Sequence, residues 1–231
     1  MMQFNENFIG YQPNVTVKFS GGDQELFYEQ NLIDQPDDWY YRSTDITYEY
    51  NSLGHRCKNI EDIDLDNYLL FSGCSHTEGI GLELEKTFPY LIAERFGMDY
   101  YNIALGGSGV DVMTYNLITW MSTVKKPPKA VIILRPVLTR FILEDRGVLT
   151  PINISTTNNV QLEFLATGDE VGYFESRRVL SDRLINTCYS DSKIIFADAW
   201  ELEQFDLARD LAHRGVISNG IFAKRIIQKL K

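Results

Sequence analysis

Four short apolar runs, Tyr68–Cys74, Tyr100–Leu105, Ala130–Leu134 and Lys193–Ala197, alternate with stretches whose apolar residues recur at helical spacing. A continuous apolar run this short suits a strand buried on both faces. Thr87–Phe96 reads as a helix closed by Gly97, a residue that readily takes the left-handed conformation of a helix end. Val110–Val124 is a second helix, stopped by the Lys125–Lys129 stretch with its two prolines. Ser176–Tyr189 and Val216–Leu230 complete the set, the last with Lys and Arg late, where they suit the helix dipole. Strand–helix alternation of this kind predicts an α/β chain: a three-layer αβα sandwich on a flavodoxin-like, doubly wound parallel sheet. Such sheets bind ligands at the carboxyl ends of their strands, so chemistry is sought there.

Two regions lack this rhythm. Residues 1–65 are rich in Tyr, Asn, Asp and Gln, with turn signals at Gly21-Gly22 and Pro36-Asp37-Asp38; they are expected to form an irregular N-terminal extension or cap on a domain spanning 66–231. Tyr40, Tyr41, Tyr48 and Tyr50 have two readings, a face on which sugar rings stack or core packing of the cap, and core packing is favoured. Residues 145–172, rich in Thr, Asn and Gly, are read as an excursion containing a hairpin.

The chain has 231 residues, 44% of them hydrophobic, enough for one substantial core. Its net charge of −10 repels phosphate backbones and anionic membranes, so nucleic acid is not an expected partner. No run approaches the ~18 apolar residues of a membrane span, and Met1–Gln12 lacks a basic start followed by an apolar stretch. A cytoplasmic or virion-associated protein without a signal peptide or membrane insertion is therefore expected. Cys57, Cys74 and Cys188 show no CxxC spacing, which argues against a disulfide framework and a zinc site. No metal or organic cofactor is expected.

Phe71-Ser72-Gly73-Cys74-Ser75-His76-Thr77-Glu78-Gly79 follows the first strand directly and presents Ser75 on a glycine-rich loop. A serine hydroxyl needs a base to remove its proton and donors aimed at the oxyanion that follows. Only His55, His76 and His213 exist. His213 lies between the last strand and the last helix, at the sheet edge expected for Ser75, and Asp210 three residues earlier suits the role of orienting its imidazole. The structural alternatives are a serine that caps a turn and a chance DxxH; the two together, in the order Ser, Asp, His along a βα chain, favour a triad. His76, adjacent to Ser75, points away from it or toward the substrate mouth. Cys74 reads as a small buried hydrophobe rather than a nucleophile, and His55 as structural or surface.

Gly73–Gly79 resembles the first block of the SGNH/GDSL hydrolases, and Asp210–His213 their final DxxH block. Asn102-Ile103-Ala104-Leu105-Gly106-Gly107-Ser108 is similar to the second block, whose glycine donates a backbone N–H to the oxyanion; Gly107 matches by spacing. Asn51-Ser52-Leu53-Gly54-His55-Arg56 resembles an Asn-Ser-x-Gly-x-Arg element upstream of the nucleophile in some members. The resemblance spans about residues 50–220 and implies ester hydrolysis by Ser75, His213 and Asp210, with an oxyanion hole from the Ser75 and Gly107 amides. The substrates it implies are small-molecule or carbohydrate esters, O-acetylated sugars included.

Two departures stand out. Cys74 occupies the position of the family's usual Asp, and the third block, normally Gly-x-Asn-Asp, reads Leu134-Arg135-Pro136-Val137-Leu138-Thr139-Arg140. Loss of one oxyanion donor costs on the order of a hundred- to a thousandfold in rate. Thr139, Arg135 or Arg140 are the candidates to replace it, with Thr139 taken forward. The missing Asn also motivates a non-catalytic or weakly active carbohydrate-binding or structural module, for example of a phage or cell surface. The same triad would support an O-acyltransferase. Oligomeric state is not legible in the sequence.

Overall fold

The computed structural model of the chain describes residues 2–145, 148–153 and 170–231. In chain order the elements are β1 (Gln3–Asn5), β2 (Phe8–Gly10), β3 (Val15–Val17), α1 (Glu25–Asp34), β4 (Tyr48–Tyr50), β5 (Tyr68–Ser72) and the single-turn α2 (Ser75–Glu78). There follow α3 (Phe88–Phe96), β6 (Asp99–Asn102), α4 (Val110–Val124), β7 (Ala130–Arg135), β8 (Arg140–Asp145) and β9 (Val148–Asn153). The chain closes with α5 (Glu170–Cys188), β10 (Lys193–Asp198) and α6 (Val216–Leu230).

The central sheet runs β10-β7-β5-β6, every pairing parallel, as the sequence alternation predicts. The connection from β5 leads outward to β6, whereas β7 leads the other way to β10. The carboxyl ends of β5 and β7 therefore flank the point where strand order reverses, the place where such sheets bind ligands. All five residues of β5 are buried, and alternation along it feeds two cores. Tyr68 and Leu70 join Tyr101, Val131 and Ile133 against Met113, Leu117 and Trp120 of α4 and Ile185 of α5. Leu69 and Phe71 join Ile132 and Leu134 against Phe88 and Ile92 of α3 and Phe222 and Ile226 of α6. Helices thus cover both faces, and each fully buried large side chain contributes about 1.5–3 kcal/mol. The indole N–H of Trp120 donates to the Tyr68 hydroxyl at 2.9 Å, which in turn donates to the Lys126 carbonyl at 2.7 Å, so neither polar tip is orphaned.

The second strand ends three residues sooner than the apolar run suggests. Asn102 folds back, its amide donating to the Thr77 carbonyl at 2.8 Å and its carbonyl accepting the Ala104 N–H at 3.2 Å, which diverts the chain out of the sheet. The hairpin expected within 145–172 is β8–β9, which begins earlier, at Arg140; residues 154–169 lie outside the described residues. The last long helix before β10 starts at Glu170 rather than Ser176.

The N-terminal segment contains more regular structure than its composition suggests: an antiparallel β1–β2 ribbon, an antiparallel β3–β4 pair and α1. It shares cores with the α/β unit. Phe8, Leu53, Cys57 and Ile63 pack in the cluster that holds Tyr68 and Trp120. Ile9 and the Asn116 side chain of α4 exchange two hydrogen bonds, at 2.9 and 2.8 Å. His55 is fully buried between the Ile9 carbonyl, 3.1 Å away, and the Tyr101 hydroxyl, 3.2 Å away, so it is structural. Arg56, also buried, donates to the Gly79 carbonyl at 2.6 Å and the Leu82 carbonyl at 2.8 Å, tying this segment to the turn after α2. Tyr41, Tyr48 and Tyr50 are buried in a third cluster with Ile80 and Leu82, which answers the choice between core and exposed face for those three; Tyr40 stays half exposed.

Candidate active site

The loop after β5 is held by its glycines. Gly73 lies at φ +156°, and a Cβ there would come within 2.3 Å of Thr77 Oγ1 and 2.6 Å of the Leu134 carbonyl, so no larger residue fits. Cys74 is buried, as a small hydrophobe would be, and α2 begins at Ser75. Gly79, at φ +84°, ends the helix after one turn. Ser75 is therefore fixed at the carboxyl end of a buried strand, at the sheet's switch point.

The loop after β6 comes alongside. The position a Gly106 Cβ would occupy is 3.5 Å from Ser75 Cβ. Gly106 N–H donates at 2.5 Å to the buried carboxyl of Glu78, which also accepts from the hydroxyls of Tyr50 at 2.8 Å and Tyr11 at 3.3 Å. Burial, opposed by these donors, raises the Glu78 pKa. Gly107 follows at φ +80°, and neither its N–H nor that of Ser75 has a hydrogen-bond partner among the described residues. Nothing in the sequence blocks assigns Glu78, Tyr11 or Tyr50 a place here; the one available signal is an acidic residue three positions after the serine.

On the other side, the turn from Ala208 to His213 closes through Ala208 N–H to the His213 carbonyl at 2.9 Å, with Leu211 at φ +54°. That geometry sets the Asp210 carboxylate against His213. Asp210 Oδ2 meets His213 Nδ1 at 2.5 Å, and Oδ1 accepts the backbone N–H of His213 at 3.0 Å and of Ala212 at 3.1 Å. The Asp210 side chain is wholly buried. Burial alone pushes its pKa up, but the hydrogen bonds from the His213 ring and from the two backbone amides win, and the carboxyl titrates below its ordinary range. A carboxylate on Nδ1 fixes that nitrogen as the protonated one and leaves Nε2 with its lone pair.

His76 joins the two arms: its ring packs edge-on to His213, centroids 4.9 Å apart. Burial, followed by the neighbouring His213 and Arg214, depresses its pKa to about 3, so it stays neutral at ordinary pH. The N-terminal segment closes a further side. A Cβ at Gly22 would sit 3.4 Å from Asp210 Oδ2 and 3.5 Å from His213 Cε1. The next residue, Asp23, holds Arg209 in a buried pair with Nη2–Oδ2 at 2.6 Å. Among the described residues no hydrogen bond joins Ser75 Oγ to His213; such contacts tighten in many enzymes only when substrate is bound.

Of the residues considered as third oxyanion donor, Arg135 is already engaged, with Asp182 at 2.8 Å and Asp198 at 3.1 Å. Thr139 sits in the turn between β7 and β8, at the same end of the sheet. No group of three or more His, Cys, Asp or Glu among the described residues is arranged to hold a metal ion. None of the described helices is long and apolar enough to cross a membrane.

Fold and site together define a doubly wound α/β protein with a serine loop and a carboxylate–imidazole pair at its ligand-binding edge, the architecture that the SGNH/GDSL resemblance implies. No family model and no curated protein matches the sequence. Solved structures similar to it include a carbohydrate esterase family 2 enzyme with its carbohydrate-binding domain from Corynascus thermopiles (Myceliophthora fergusii), at 17% identity and TM-score 0.41, covering 71% of this chain and 65% of that one. The chain thus spans about two thirds of that enzyme's length. The protein TesA is similar at 13% identity and TM-score 0.47, over 71% of this chain and 98% of its own. A member of the lipolytic G-D-S-L family from Veillonella parvula is similar at 12% identity and TM-score 0.43, over 70% and 96% respectively.

Proposed function

We propose that the chain is a serine ester hydrolase. Ser75 Oγ attacks the ester carbonyl carbon while its proton passes to His213 Nε2; collapse of the tetrahedral intermediate breaks the bond to the alcohol, which leaves with that proton. Water then attacks the acyl-enzyme by the same route and releases the acid. Asp210 keeps His213 in the required tautomer and stabilises the imidazolium. The amides of Ser75 and Gly107, with the Thr139 hydroxyl, are the oxyanion donors.

The observation that carries this reading is the doubly anchored Asp210–His213 pair, with the imidazole packed on the neighbour of Ser75. A buried carboxylate bonded to Nδ1 is what an imidazole base requires, and a purely structural histidine turn has no need of it. The test is release of p-nitrophenol from its acetate and butyrate by wild type, Ser75→Ala and His213→Gln. Loss of activity in both variants is the expected result. Equal rates in all three would favour the binding-module reading, which the engagement of Arg135 elsewhere otherwise supports.

A further inference from the structure

The turn that carries the Gly107 amide has an unsecured middle. Ser108 N–H donates to the Leu105 carbonyl at 3.1 Å, and Gly107 between them lies at φ +80°, the pattern of a type II turn. That closing bond does not involve the central peptide, which joins the Gly106 carbonyl to the Gly107 N–H. Rotating the central peptide by about half a turn converts type II into type I and reverses the direction of the Gly107 N–H. Gly106 and Gly107 have no Cβ to resist the rotation. The direction of this donor is therefore set from outside the turn.

Two side chains set it. Glu78, one helical turn after Ser75, takes the Gly106 N–H at 2.5 Å and so fixes the preceding peptide. The Tyr11 hydroxyl lies 3.1 Å from the Gly106 carbonyl, nearer than its other acceptor, the Glu78 carboxyl at 3.3 Å. Carbonyl and N–H of a trans peptide point in opposite directions, so a donor on the Gly106 carbonyl turns the Gly107 N–H to the side away from Tyr11. It also polarises the peptide and strengthens that N–H as a donor. Tyr11 is itself firmly held. Its backbone N–H donates to the Gly54 carbonyl at 3.1 Å, its carbonyl accepts from the Asn5 side-chain amide at 2.6 Å, and its ring packs edge-on to Tyr50 with centroids 5.1 Å apart.

We propose that Tyr11 is a positioning residue of the reaction: the N-terminal segment supplies the hydroxyl that holds the Gly106–Gly107 peptide with its N–H free for the oxyanion. The proposal rests on the serine-hydrolase reading above, with Gly107 as an oxyanion donor. Tyr11→Phe removes the hydroxyl and keeps the ring against Tyr50. Tyr115→Phe is the control, because that hydroxyl also ties the segment through a backbone carbonyl, but at Asn7, 3.0 Å away, and not at the Gly106 peptide. Wild type and both variants are compared by kcat and KM on p-nitrophenyl acetate and by Ki for 1,1,1-trifluoroacetone. Ser75 Oγ adds to the carbonyl carbon of this ketone, its proton passes to His213, and the carbonyl oxygen becomes the oxyanion of a hemiketal. Ki therefore reports the oxyanion donors directly.

Tyr11→Phe is expected to lower kcat by roughly five- to fiftyfold, less than the loss of a whole donor costs, with KM nearly unchanged and Ki raised by about the factor that kcat loses. Tyr115→Phe should leave all three constants near those of wild type. A lower kcat at unchanged Ki would mean only that less of the enzyme is folded, and it overturns the proposal. A raised KM at unchanged kcat, no change in any constant, or an equal effect of Tyr115→Phe does the same. Full p-nitrophenyl acetate activity in Ser75→Ala would instead overturn the nucleophile assignment, and this proposal with it.

Discussion

Asp210 offers both carboxylate oxygens to one residue: Oδ2 lies 2.5 Å from His213 Nδ1, while Oδ1 takes the His213 backbone N–H at 3.0 Å. The ring and the main chain of the histidine are thus fixed by the same group. The Asp210 carboxyl also titrates below its ordinary range, so it is ionised wherever the imidazole is able to act as a base, and it does not set the acid limb of activity.

Asp210→Asn tests this directly. The amide presents a donor or an acceptor where two acceptors are needed, and holding the ring in the wrong tautomer lowers kcat by roughly 10³- to 10⁴-fold. KM for p-nitrophenyl acetate should change little, because the amide has the same shape as the carboxylate. A rise in KM alone would show that Asp210 serves substrate binding instead.

The strands and long helices were legible because burial on two faces writes continuous apolar runs, as in Leu69–Phe71, and amphipathic helices write a 3.6-residue period, as in α6. Ser75, Asp210 and His213 were legible because loops after strands of a doubly wound sheet have a predictable location. What surrounds them was not. Asp23 and Arg209 are 186 residues apart and nothing local marks them as partners. Nothing local marks Glu78 as buried, and Tyr11, Tyr50 and Gly106 converge on it from distant parts of the chain. The packing of the N-terminal segment into the same core as Tyr68 and Trp120 has the same cause: its short apolar runs carry no period, and only their non-local partners show what they cover.

Two of the three histidines are held neutral, and that makes the fold acid-sensitive. Burial lowers His55 from 6.5 to about 4. Above pH 6.5 folded and unfolded chains both carry it neutral and it has no effect. Below that the unfolded state binds a proton that the folded state refuses, so stability falls progressively until about pH 4, by about 3 kcal/mol in all. Urea midpoints from pH 7.5 to 4.5 should show this decline, and His55→Gln should make it shallower without abolishing it, because His76, lowered to about 3, keeps its own share. In spectra of histidine ring carbons, the signals of His55 and His76 should not move between pH 8 and 5.

The Asp23–Arg209 pair fastens the Gly21–Gly22 turn beside the candidate site to the turn that carries Asp210. Their side chains are only 1% and 4% exposed, and Asp23 also accepts from the Tyr48 hydroxyl at 2.5 Å. Arg209→Ala strands a buried carboxylate and is expected to cost about 3–5 kcal/mol. The double replacement Asp23→Leu with Arg209→Met removes both charges and should destabilise by less than Arg209→Ala alone. Chemical denaturation of the three proteins decides it; a double variant that loses as much as Arg209→Ala or more would show that the two residues do not act as a pair.

Thr139 carries the last open assignment, the third oxyanion donor. The position that a family Asn would fill lies on the stretch after β7, where Arg135 is bound to Asp182 and Asp198 and Pro136 has no N–H to give. Thr139 places a hydroxyl on the following turn, and a neutral donor stabilises the oxyanion without adding a positive charge near His213. Thr139→Val keeps the branched shape and removes only the hydroxyl. If that hydroxyl meets the oxyanion, kcat falls on the order of a hundredfold with KM nearly unchanged, because the charge it serves develops in the transition state and not in the bound ester. A kcat within threefold of wild type would leave the Ser75 and Gly107 amides as the whole oxyanion hole.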